Sequence, residues 1–428
     1  MNIVINEILS VLSSGLCENC TVYIEGDTVV AIGSRPEGFV PDMTIDGRDK
    51  LLIPGLINCH THAYMTVFRN YADDMKFHQW LFEKIMPLED KLTETDCYWS
   101  TLLGIMEMLS TGTTCFLDMY IFPQTVTEAA CQTGMRAVVS RGLTGGADDP
   151  DGGRRRIREA ISDIRAYSGV GNISFMLAPH APYTCDEAYQ REVAEAARKL
   201  GLGIHTHVAE SEQEIKDIYN RYGCTPVELL NRTGLLTEKT VAAHCVHLED
   251  GDMDILRERR VNVASNPVSN LKLANGIAPL SALVERGVNV CLGTDGPASN
   301  NSLNMIREMG YTALLQKGVT GDPEMLNAET VLKMATANGA KALGLGDVVG
   351  EIAVGKKADL TLIDLRGPNM RPRNNVLAAL AYSANGSEVE TVIVGGKVLY
   401  DRGEFLTIDA ERVIFEVEKV CSRLGLKR

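Results

Sequence analysis

The sequence contains no run of apolar residues that reaches the roughly 18 needed to cross a membrane. Its start, MNIVINEILSVLSS, has no basic region ahead of the apolar residues, and Asn and Glu interrupt them, which is not typical of a signal peptide. Basic residues are in the minority, with 42 Lys and Arg against 56 Asp and Glu and a net charge of −14. Because binding to a nucleic-acid backbone needs a basic surface, we predict a protein that binds neither nucleic acids nor membranes.

The 11 cysteines lack the even number and short-chain context of a disulfide framework. Several of them lie inside apolar runs: Cys59, Cys115, Cys245 and Cys291. We therefore expect reduced thiols and a cytoplasmic location. One C-x-x-C pair, Cys17 and Cys20, has no further ligands nearby at a spacing that suits zinc. We interpret this pair as two buried thiols in a small sheet rather than as a metal or redox site.

Both ends of the chain have a β-rich pattern. Near the start, two β-type runs are joined by Glu25-Gly26-Asp27, and near the end VIVGGKVLYD turns at Gly395-Gly396. Each pattern predicts a hairpin. We expect the two ends to share one small β-domain.

Between the ends, eight apolar β-type runs alternate with helical stretches. The runs are 52–58, 113–119, 137–141, 173–178, 203–208, 240–244, 261–265 and 288–294. A helix is predicted over 94–109, with Thr93 and Asp96 as a capping pair and Gly112 as the stop. This alternation favours a (β/α)8 TIM barrel. A doubly wound sheet of six or seven strands is the alternative, although no G-x-G-x-x-G opens a helix.

Seven of the eight histidines lie in or just after the predicted strands, and only His78 lies elsewhere. They are His60, His62, His180, His205, His207, His244 and His247, and Asp295 ends the eighth run. In a (β/α)8 barrel these positions share the catalytic end. His60 and His62 are two apart in an extended segment, so both side chains face one way, about 6–7 Å apart at Cα. With a strand-five histidine and Asp295 they would suit Zn²⁺, or Fe²⁺ or Mn²⁺.

Five segments carry a resemblance to a known family: PGLINCHTH, HTHVAES, AAHCVH, SNPVSNLKLANGIAP and LGTDGPASNNSLNM. They resemble the amidohydrolase superfamily and, more closely, its 5-methylthioadenosine/S-adenosylhomocysteine deaminases, a group that includes 5′-deoxyadenosine deaminases. The resemblance implies a catalytic barrel over residues 53–349 and a β-sandwich formed by residues 1–52 and 350–428. It implies a homo-oligomer that deaminates adenine nucleosides to inosine analogues and ammonia, in the salvage of S-adenosylmethionine by-products.

The resemblance also assigns the metal ligands and their partners. His60, His62, His207 and Asp295 would hold one divalent metal, with zinc expected, because no strand end offers the lysine that bridges a metal pair. Glu210 matches the proton shuttle, and His244 matches the residue that contacts the water on the metal. Glu210, His244 and Asp295 would thus be catalytic.

The substrate contacts follow from the same resemblance. Glu89 matches a carboxylate that holds the ribose hydroxyls, Arg141 and Arg154 match two substrate-side arginines, and His180 matches a substrate-contacting histidine. Glu210 and Asp295 would contact the substrate as well. Trp80 lies in a loop that would cover the nucleoside.

Taken without the resemblance, some of these residues have simpler interpretations. Glu89 is an acid at a charged helix start, Arg154 lies on a solvated helix face, and Glu210 could be a surface acid. His205 is expected to support the site or to pack, and His247 is expected to be structural. Ser269 and Asn270 could bond near the site or form a turn.

Two other functional interpretations stay open. The first is a different hydrolase on the same scaffold: a guanine or pterin deaminase, a triazine hydrolase or a cyclic amidase. The second is a metal-free scaffold without catalysis.

Overall fold

The structure is a computed structural model that describes residues 1–426. The strands are β1 (Asn2–Leu12), β2 (Gly15–Glu25), β3 (Thr28–Ile32), β4 (Met43–Asp46), β5 (Lys50–Pro54), β6 (Leu56–Thr61), β7 (Thr113–Tyr120), β8 (Arg136–Leu143), β9 (Ile173–Pro179), β10 (Gly203–Val208), β11 (Thr240–His244), β12 (Asn262–Ser265), β13 (Asn289–Leu292), β14 (Leu360–Asp364), β15 (Val389–Val394), β16 (Lys397–Asp401) and β17 (Glu404–Phe405). The α-helices are α1 (Met86–Glu89), α2 (Glu94–Ser110), α3 (Pro123–Thr133), α4 (Pro150–Tyr167), α5 (Glu187–Leu200), α6 (Glu212–Tyr222), α7 (Pro226–Thr233), α8 (Asp250–Glu258), α9 (Pro267–Lys272), α10 (Leu280–Glu285), α11 (Met305–Thr320), α12 (Ala328–Met334), α13 (Ala337–Ala342), α14 (Val376–Tyr382) and α15 (Ala410–Arg423). Short 3-10 helices cover Ala63–Phe68 and Pro368–Met370, and a π-helix covers Gln79–Ile85.

The strands from the two ends of the chain form one nine-stranded sheet. Its order is β17-β16-β15-β14-β5-β1-β2-β3, and β4 pairs with β1. Both predicted hairpins are present, as β2–β3 and as β15–β16. The second turns at Gly395 and Gly396, whose positive φ values of 53° and 69° suit glycine. Side chains from both ends, such as Ile5 and Ile393, pack in one hydrophobic core, so the predicted joint β-domain is confirmed.

The central part of the chain forms an eight-stranded parallel sheet in the order β13-β12-β11-β10-β9-β8-β7-β6. It closes where the backbone N–H of Asp295 donates to the carbonyl of His60 at 2.9 Å. The two edges approach closely there, since a Cβ on Gly293 would lie 2.8 Å from the backbone nitrogen of His60. The prediction of a (β/α)8 barrel is confirmed, and the doubly wound alternative is wrong.

The run predicted as one strand over 52–58 is instead two strands in different sheets. β5 ends at Pro54 and belongs to the terminal sheet, whereas β6 starts at Leu56 and belongs to the barrel. Between them, Gly55 donates its N–H to the carbonyl of Asp359, and a Cβ at this glycine would lie 2.1 Å from the side chain of Thr114. An apolar run does not reveal such a crossing, because both strands are fully buried.

The barrel and the terminal segments also contact each other through side chains. α2 begins with the predicted capping box of Thr93 and Asp96, and Arg423 of α15 forms an ion pair with the same Asp96. Arg136 of β8 donates two hydrogen bonds, of 2.7 and 3.0 Å, to the buried carboxylate of Asp359. Among residues 1–426, no helix is both long and apolar enough to span a membrane.

Candidate active site

Four side chains converge at the carboxyl end of the barrel strands. His60 lies in β6 and His207 in β10. His62 directly follows β6, and Asp295 lies three residues after the end of β13. His62 Nε2 lies 3.4 Å from His207 Nε2 and 3.3 Å from Asp295 Oδ1. His60 Nε2 lies 3.5 Å from the same oxygen. The structure therefore brings the four predicted metal ligands together.

This group has the donor atoms of a divalent metal site. The ligand atoms of His60, His62 and His207 lie within 4.8 Å of one another, as do those of His60, His244 and Asp295. Among the described residues, the buried Nε2 of His60 has no hydrogen-bond partner. A buried polar atom normally has one. Three imidazole nitrogens and a carboxylate oxygen suit Zn²⁺ and related ions, so these residues fit a metal.

The outer ring nitrogens of two of these histidines are held by backbone carbonyls. His62 Nδ1 lies 2.6 Å from the carbonyl of Met119, and His207 Nδ1 lies 2.7 Å from the carbonyl of His180. Because a carbonyl oxygen only accepts, each Nδ1 carries the hydrogen and each Nε2 keeps a lone pair. Both rings are thus fixed in the tautomer that a metal ligand needs.

Asp295 is oriented by hydroxyl groups from α9 and from the loop after β13. Ser269 and Ser299 donate to its Oδ2 at 2.6 and 2.8 Å, and the N–H of Gly296 donates to its Oδ1 at 2.7 Å. The backbone of Asp295 has a φ of 62°, and that of His244 a φ of 72°. Positive φ is unfavourable for residues other than glycine and concentrates at functional sites.

Glu210 and His244 lie side by side next to the ligand group. His244 Nε2 is 3.7 Å from Glu210 Oε2 and, within residues 1–426, has no hydrogen-bond partner. Its Nδ1 is 2.8 Å from Asn270 Oδ1, and Asn275 donates to Glu210 at 3.1 Å. Burial, together with the charge of Asp295, raises the pKa of Glu210 to about 8, and burial lowers the pKa of His244. Near neutral pH the site therefore holds a protonated carboxyl beside a neutral imidazole.

The loop that carries Glu210 is held by a second buried carboxylate, Glu214. This side chain accepts hydrogen bonds from the backbone N–H groups of Ala209 and Glu210, at 2.9 and 2.8 Å. Ser211 caps the same helix, α6. The position of Glu210 is thus fixed by the start of α6, which follows it in the sequence.

A cavity of about 420 Å³ opens from the four predicted metal ligands towards solvent. Its inner end contains His62, His207, Glu210, His244 and Asp295. One side is formed by apolar side chains of the segment before α2: Phe77, Trp80, Leu81, Phe82 and Met86. Trp80 is buried and lies in the π-helix, not in the loop that was expected from the sequence. A cavity of this size and polarity is typical of a small-molecule site.

Two predicted substrate residues, Glu89 and His180, line this cavity. Glu89 accepts a hydrogen bond from the hydroxyl of Tyr120, and burial raises its pKa. His180 Nδ1 lies 3.0 Å from the hydroxyl of Thr184, and burial lowers the pKa of this imidazole to about 4. Glu89 is therefore part of the cavity wall and not merely an acid at a charged helix start.

The two predicted arginines lie in different places. Arg141, at the end of β8, lines the cavity and pairs with Glu159 at 2.6 Å. Arg154 does not line it: its side chain is 59% exposed and pairs with Glu192 at 2.9 Å. Two residues further along α4, Arg156 lines the cavity instead. Residues two apart on a helix point in nearly opposite directions, so only one of these two arginines can face the cavity.

Sequence reasoning missed several residues of this site: Tyr120, Arg156, Glu214, Asn275 and Ser299. For Tyr120 a signal existed, because it ends β7 just as Arg141 lies near the end of β8, but the predicted strand stopped one residue short at 119. Ser299 follows Asp295 in the motif TDGPASNN. For Arg156 no signal existed, since the helix phase relative to the barrel is set by packing.

None of the described residues that line the cavity is a lysine. β9 ends at Pro179 and is followed by His180. A bridging carboxylated lysine therefore has no candidate in this cavity, as expected from the sequence.

Comparisons with known proteins show the family of the chain and solved structures that share its fold. Residues 51–399 match the amidohydrolase family. A protein of Caldanaerobacter subterraneus subsp. tengcongensis, 5-methylthioadenosine/S-adenosylhomocysteine deaminase, is 45% identical over 428 residues, which cover 99% of each chain. An adenosine deaminase of Xanthomonas campestris, solved with bound zinc, is 33% identical, with a TM-score of 0.95 and 99% of each chain covered. A triazine hydrolase of an Arthrobacter species shares the fold, with a TM-score of 0.91 at 23% identity and full coverage of both chains.

Proposed function

The chain belongs to the amidohydrolase family, and on this premise we propose that it removes the exocyclic amine of adenine from 5′-modified adenosines by hydrolysis. The substrates are 5-methylthioadenosine, S-adenosylhomocysteine and 5′-deoxyadenosine, and the products are the inosine analogue and ammonia. The observation that carries this proposal is one cavity with a metal donor set and Glu210 at its inner end and Glu89 on its wall. The activities named for the relatives above support it.

His60, His62, His207 and Asp295 would hold one divalent metal, and we propose zinc. The neighbour solved with bound zinc supports the choice of zinc, and the absence of a lysine from the described cavity lining supports one metal rather than a bridged pair. When bound, such an ion lowers the pKa of a water molecule towards about 7 and so supplies a nucleophile near neutral pH.

The protein's own side chains manage the protons of the reaction. Glu210, protonated near neutral pH, donates its proton to the ring nitrogen beside the attacked carbon. His244 Nε2, which has no hydrogen-bond partner among residues 1–426, accepts a hydrogen bond from the attacking water and can take its proton as the oxygen bonds to the carbon. Once protonated, the imidazolium donates to this oxygen and stabilises its charge. Asp295, held by its two serines, orients the same water.

The proton balance closes with these groups. Water adds across the C6–N1 bond; one water proton passes through His244 or Asp295 to the departing amine, which leaves as ammonia. The remaining hydroxyl proton returns to Glu210 as the C6 carbonyl forms. The ring nitrogen keeps the proton that Glu210 donated, so one water is consumed for each ammonia released.

Recognition of the nucleoside uses the outer part of the cavity. A carboxylate can accept hydrogen bonds from two neighbouring hydroxyl groups, so Glu89 is suited to hold the ribose. Apolar side chains such as Trp80 and Met86 suit the base and an alkylthio group. Arg141 and Arg156 give the same cavity a cationic part, which suits a substituent that ends in a carboxylate.

We also propose a cellular setting for the enzyme. Cys59, Cys115, Cys245 and Cys291 are buried and form no disulfide with one another, which suits a reducing compartment such as the cytoplasm. A homo-oligomer and a role in the salvage of S-adenosylmethionine by-products remain proposals that rest on the family resemblance.

The test is a substrate panel with purified, zinc-loaded enzyme. 5-Methylthioadenosine, S-adenosylhomocysteine, 5′-deoxyadenosine and adenosine are compared with guanine, a pterin, a triazine and a cyclic amide, with ammonia release as the readout. We expect turnover of the adenosines. Turnover confined to guanine, the pterin, the triazine or the cyclic amide would contradict the nucleoside assignment. Protein that binds no metal and gains no activity with Zn²⁺, Mn²⁺ or Fe²⁺ would instead support a scaffold.

A further inference from the structure

One buried histidine beside the metal donor set has no role in the mechanism above. His205 lies in β10, two residues before His207, and is fully buried. Its Nε2 is 2.7 Å from His60 Nδ1, and its Nδ1 is 3.3 Å from the hydroxyl oxygen of Ser140. The ring of His205 therefore connects His60 to Ser140 through hydrogen bonds.

The direction of these hydrogen bonds is fixed at the far end. The hydroxyl of Ser140 lies 2.6 Å from the carbonyl of Asp118, and because a carbonyl only accepts, the hydroxyl donates to it. The oxygen of Ser140 then accepts the Nδ1–H of His205. A neutral imidazole has one donor and one acceptor, so Nε2 of His205 accepts the Nδ1–H of His60. His60 is left with its lone pair on Nε2.

That lone pair faces the other donor atoms. Nε2 of His60 lies 3.5 Å from Asp295 Oδ1, and it has no hydrogen-bond partner among the described residues. The corresponding tautomers of His62 and His207 are set by backbone carbonyls. Of the three histidine ligands, His60 is thus the one whose proton position depends on side chains that a substitution can replace.

We propose that His205, supported by Ser140, is a positioning residue that directs the lone pair of His60 towards the metal. The inference rests on the metal site of the proposed function. Replacing a hydrogen-bond partner of a metal-binding histidine typically lowers metal affinity by 10–100-fold. His205 therefore contributes to catalysis through the affinity and geometry of the site and not through contact with the substrate.

The experiment compares two substitutions of similar size. In His205→Gln, the amide oxygen can accept from His60 while the amide nitrogen donates to Ser140, so the direction of the hydrogen bonds is kept. In His205→Met both hydrogen bonds, to His60 and to Ser140, are lost. Zinc affinity of the metal-free proteins is measured by competition with a chelator, and the visible absorption spectrum is recorded after loading with Co²⁺. His247→Met serves as a control, because His247 lies on the loop after β11 outside the donor set.

The expected result is a 10–100-fold weaker zinc affinity and a changed Co²⁺ spectrum for His205→Met. His205→Gln and His247→Met should stay within about threefold of the unchanged protein, well short of that loss. Equal zinc affinity in His205→Met and the unchanged protein would overturn the inference. An equal loss in both His205 variants would also overturn it, because the affinity would then depend on the shape of the side chain and not on the direction of its hydrogen bonds.

A second variant covers the case in which His205→Met does not fold. Ser140→Ala removes the group that fixes the direction, and it should weaken zinc binding and shift the Co²⁺ spectrum to a smaller extent. An unchanged affinity and spectrum in Ser140→Ala would then overturn the inference. If the unchanged protein itself binds no zinc, the proposed metal site fails, which is a different outcome.

Discussion

The hydroxyl of Tyr120 donates a hydrogen bond to the carboxylate of Glu89 on the wall of the cavity. Tyr120 is buried at the end of β7, and its ring contacts the ring of His62 at a centroid distance of 5.7 Å. One residue thus touches both the metal site and the proposed ribose contact. Burial raises the pKa of Glu89, while the hydrogen bond from Tyr120 lowers it, so this hydroxyl favours the ionised carboxylate that can accept two ribose hydroxyl groups.

Glu89→Ala is expected to raise KM for 5-methylthioadenosine by roughly 10–100-fold, because hydrogen bonds to a charged group contribute about 1.5–3 kcal/mol. Steady-state kinetics check this, with 2′,3′-dideoxyadenosine as the comparison substrate. The dideoxy compound lacks both hydroxyls, so its KM should change little. An unchanged KM for 5-methylthioadenosine would remove Glu89 from ribose binding.

Arg156→Ala is expected to raise KM for S-adenosylhomocysteine about tenfold, with a much smaller effect on 5-methylthioadenosine. The reason is that only the first substrate carries a carboxylate at its 5′ end, and a lost hydrogen bond to a charged group amounts to about 1.5–3 kcal/mol. Arg154→Ala is the matched variant, because its exposed guanidinium pairs with Glu192 outside the cavity. Kinetics in which Arg154→Ala has the larger effect would contradict the position of α4.

Glu308→Gln is expected to remove one contribution to the stability of the metal-free protein that is lost as the pH rises. Glu308 accepts hydrogen bonds from Asn300 and from the N–H of Val268, and burial raises its pKa from 4.5 to about 8. Since the folded-state pKa is the higher one, the stabilising contribution is complete below pH 4.5 and is lost between pH 4.5 and about 8. For one group the slope is at most about 1.4 kcal/mol per pH unit.

Thermal unfolding of the metal-free protein at pH 5 to 8 measures this effect. Glu210 and Glu214, whose pKa values are also raised, and the buried histidines His180 and His244, whose pKa values are lowered, contribute to the pH profile of both proteins. The Tm of the unchanged protein relative to that of Glu308→Gln should therefore decrease from pH 5 to pH 8. Parallel Tm profiles would show that Glu308 is not protonated in the fold.

Glu210→Gln is expected to lower kcat by about 100-fold or more, because general acid–base catalysis typically contributes 10²–10⁴-fold. Zinc content should not change, since Glu210 is not in the donor set. Glu212→Gln is the matched control, because this neighbouring carboxylate is 74% exposed and pairs with Lys216. An active Glu210→Gln enzyme would exclude Glu210 as the proton donor.

The features that sequence reasoning predicted correctly are those set by local pattern. Seven of the eight apolar runs and the capping box of Thr93 and Asp96 follow from periodicity and helix-start chemistry, whereas the run over 52–58 is two strands. His60, His62 and Asp295 follow from their position at strand ends, which a closed barrel brings together. Assignment of roles such as that of Glu89 needed the resemblance, since an acid at a helix start has no local signal of burial.

The features that it missed depend on packing between distant segments. The crossing at Gly55 is invisible because both flanking strands are apolar. The choice between Arg154 and Arg156 depends on how α4 is rotated against the barrel. The role of His205 depends on Ser140, which lies two strands away in the sheet.

The most direct test of the proposed function is the fate of 5-methylthioadenosine with the zinc-loaded enzyme in water enriched in ¹⁸O, followed by mass spectrometry of the nucleoside and assay of ammonia. We expect one ¹⁸O atom to be incorporated as the carbonyl oxygen on C6 of the purine ring. One ammonia should be released for each nucleoside converted, and the bond between the base and the ribose should stay intact. Release of free adenine, or conversion without ammonia and without ¹⁸O in the ring, would contradict it.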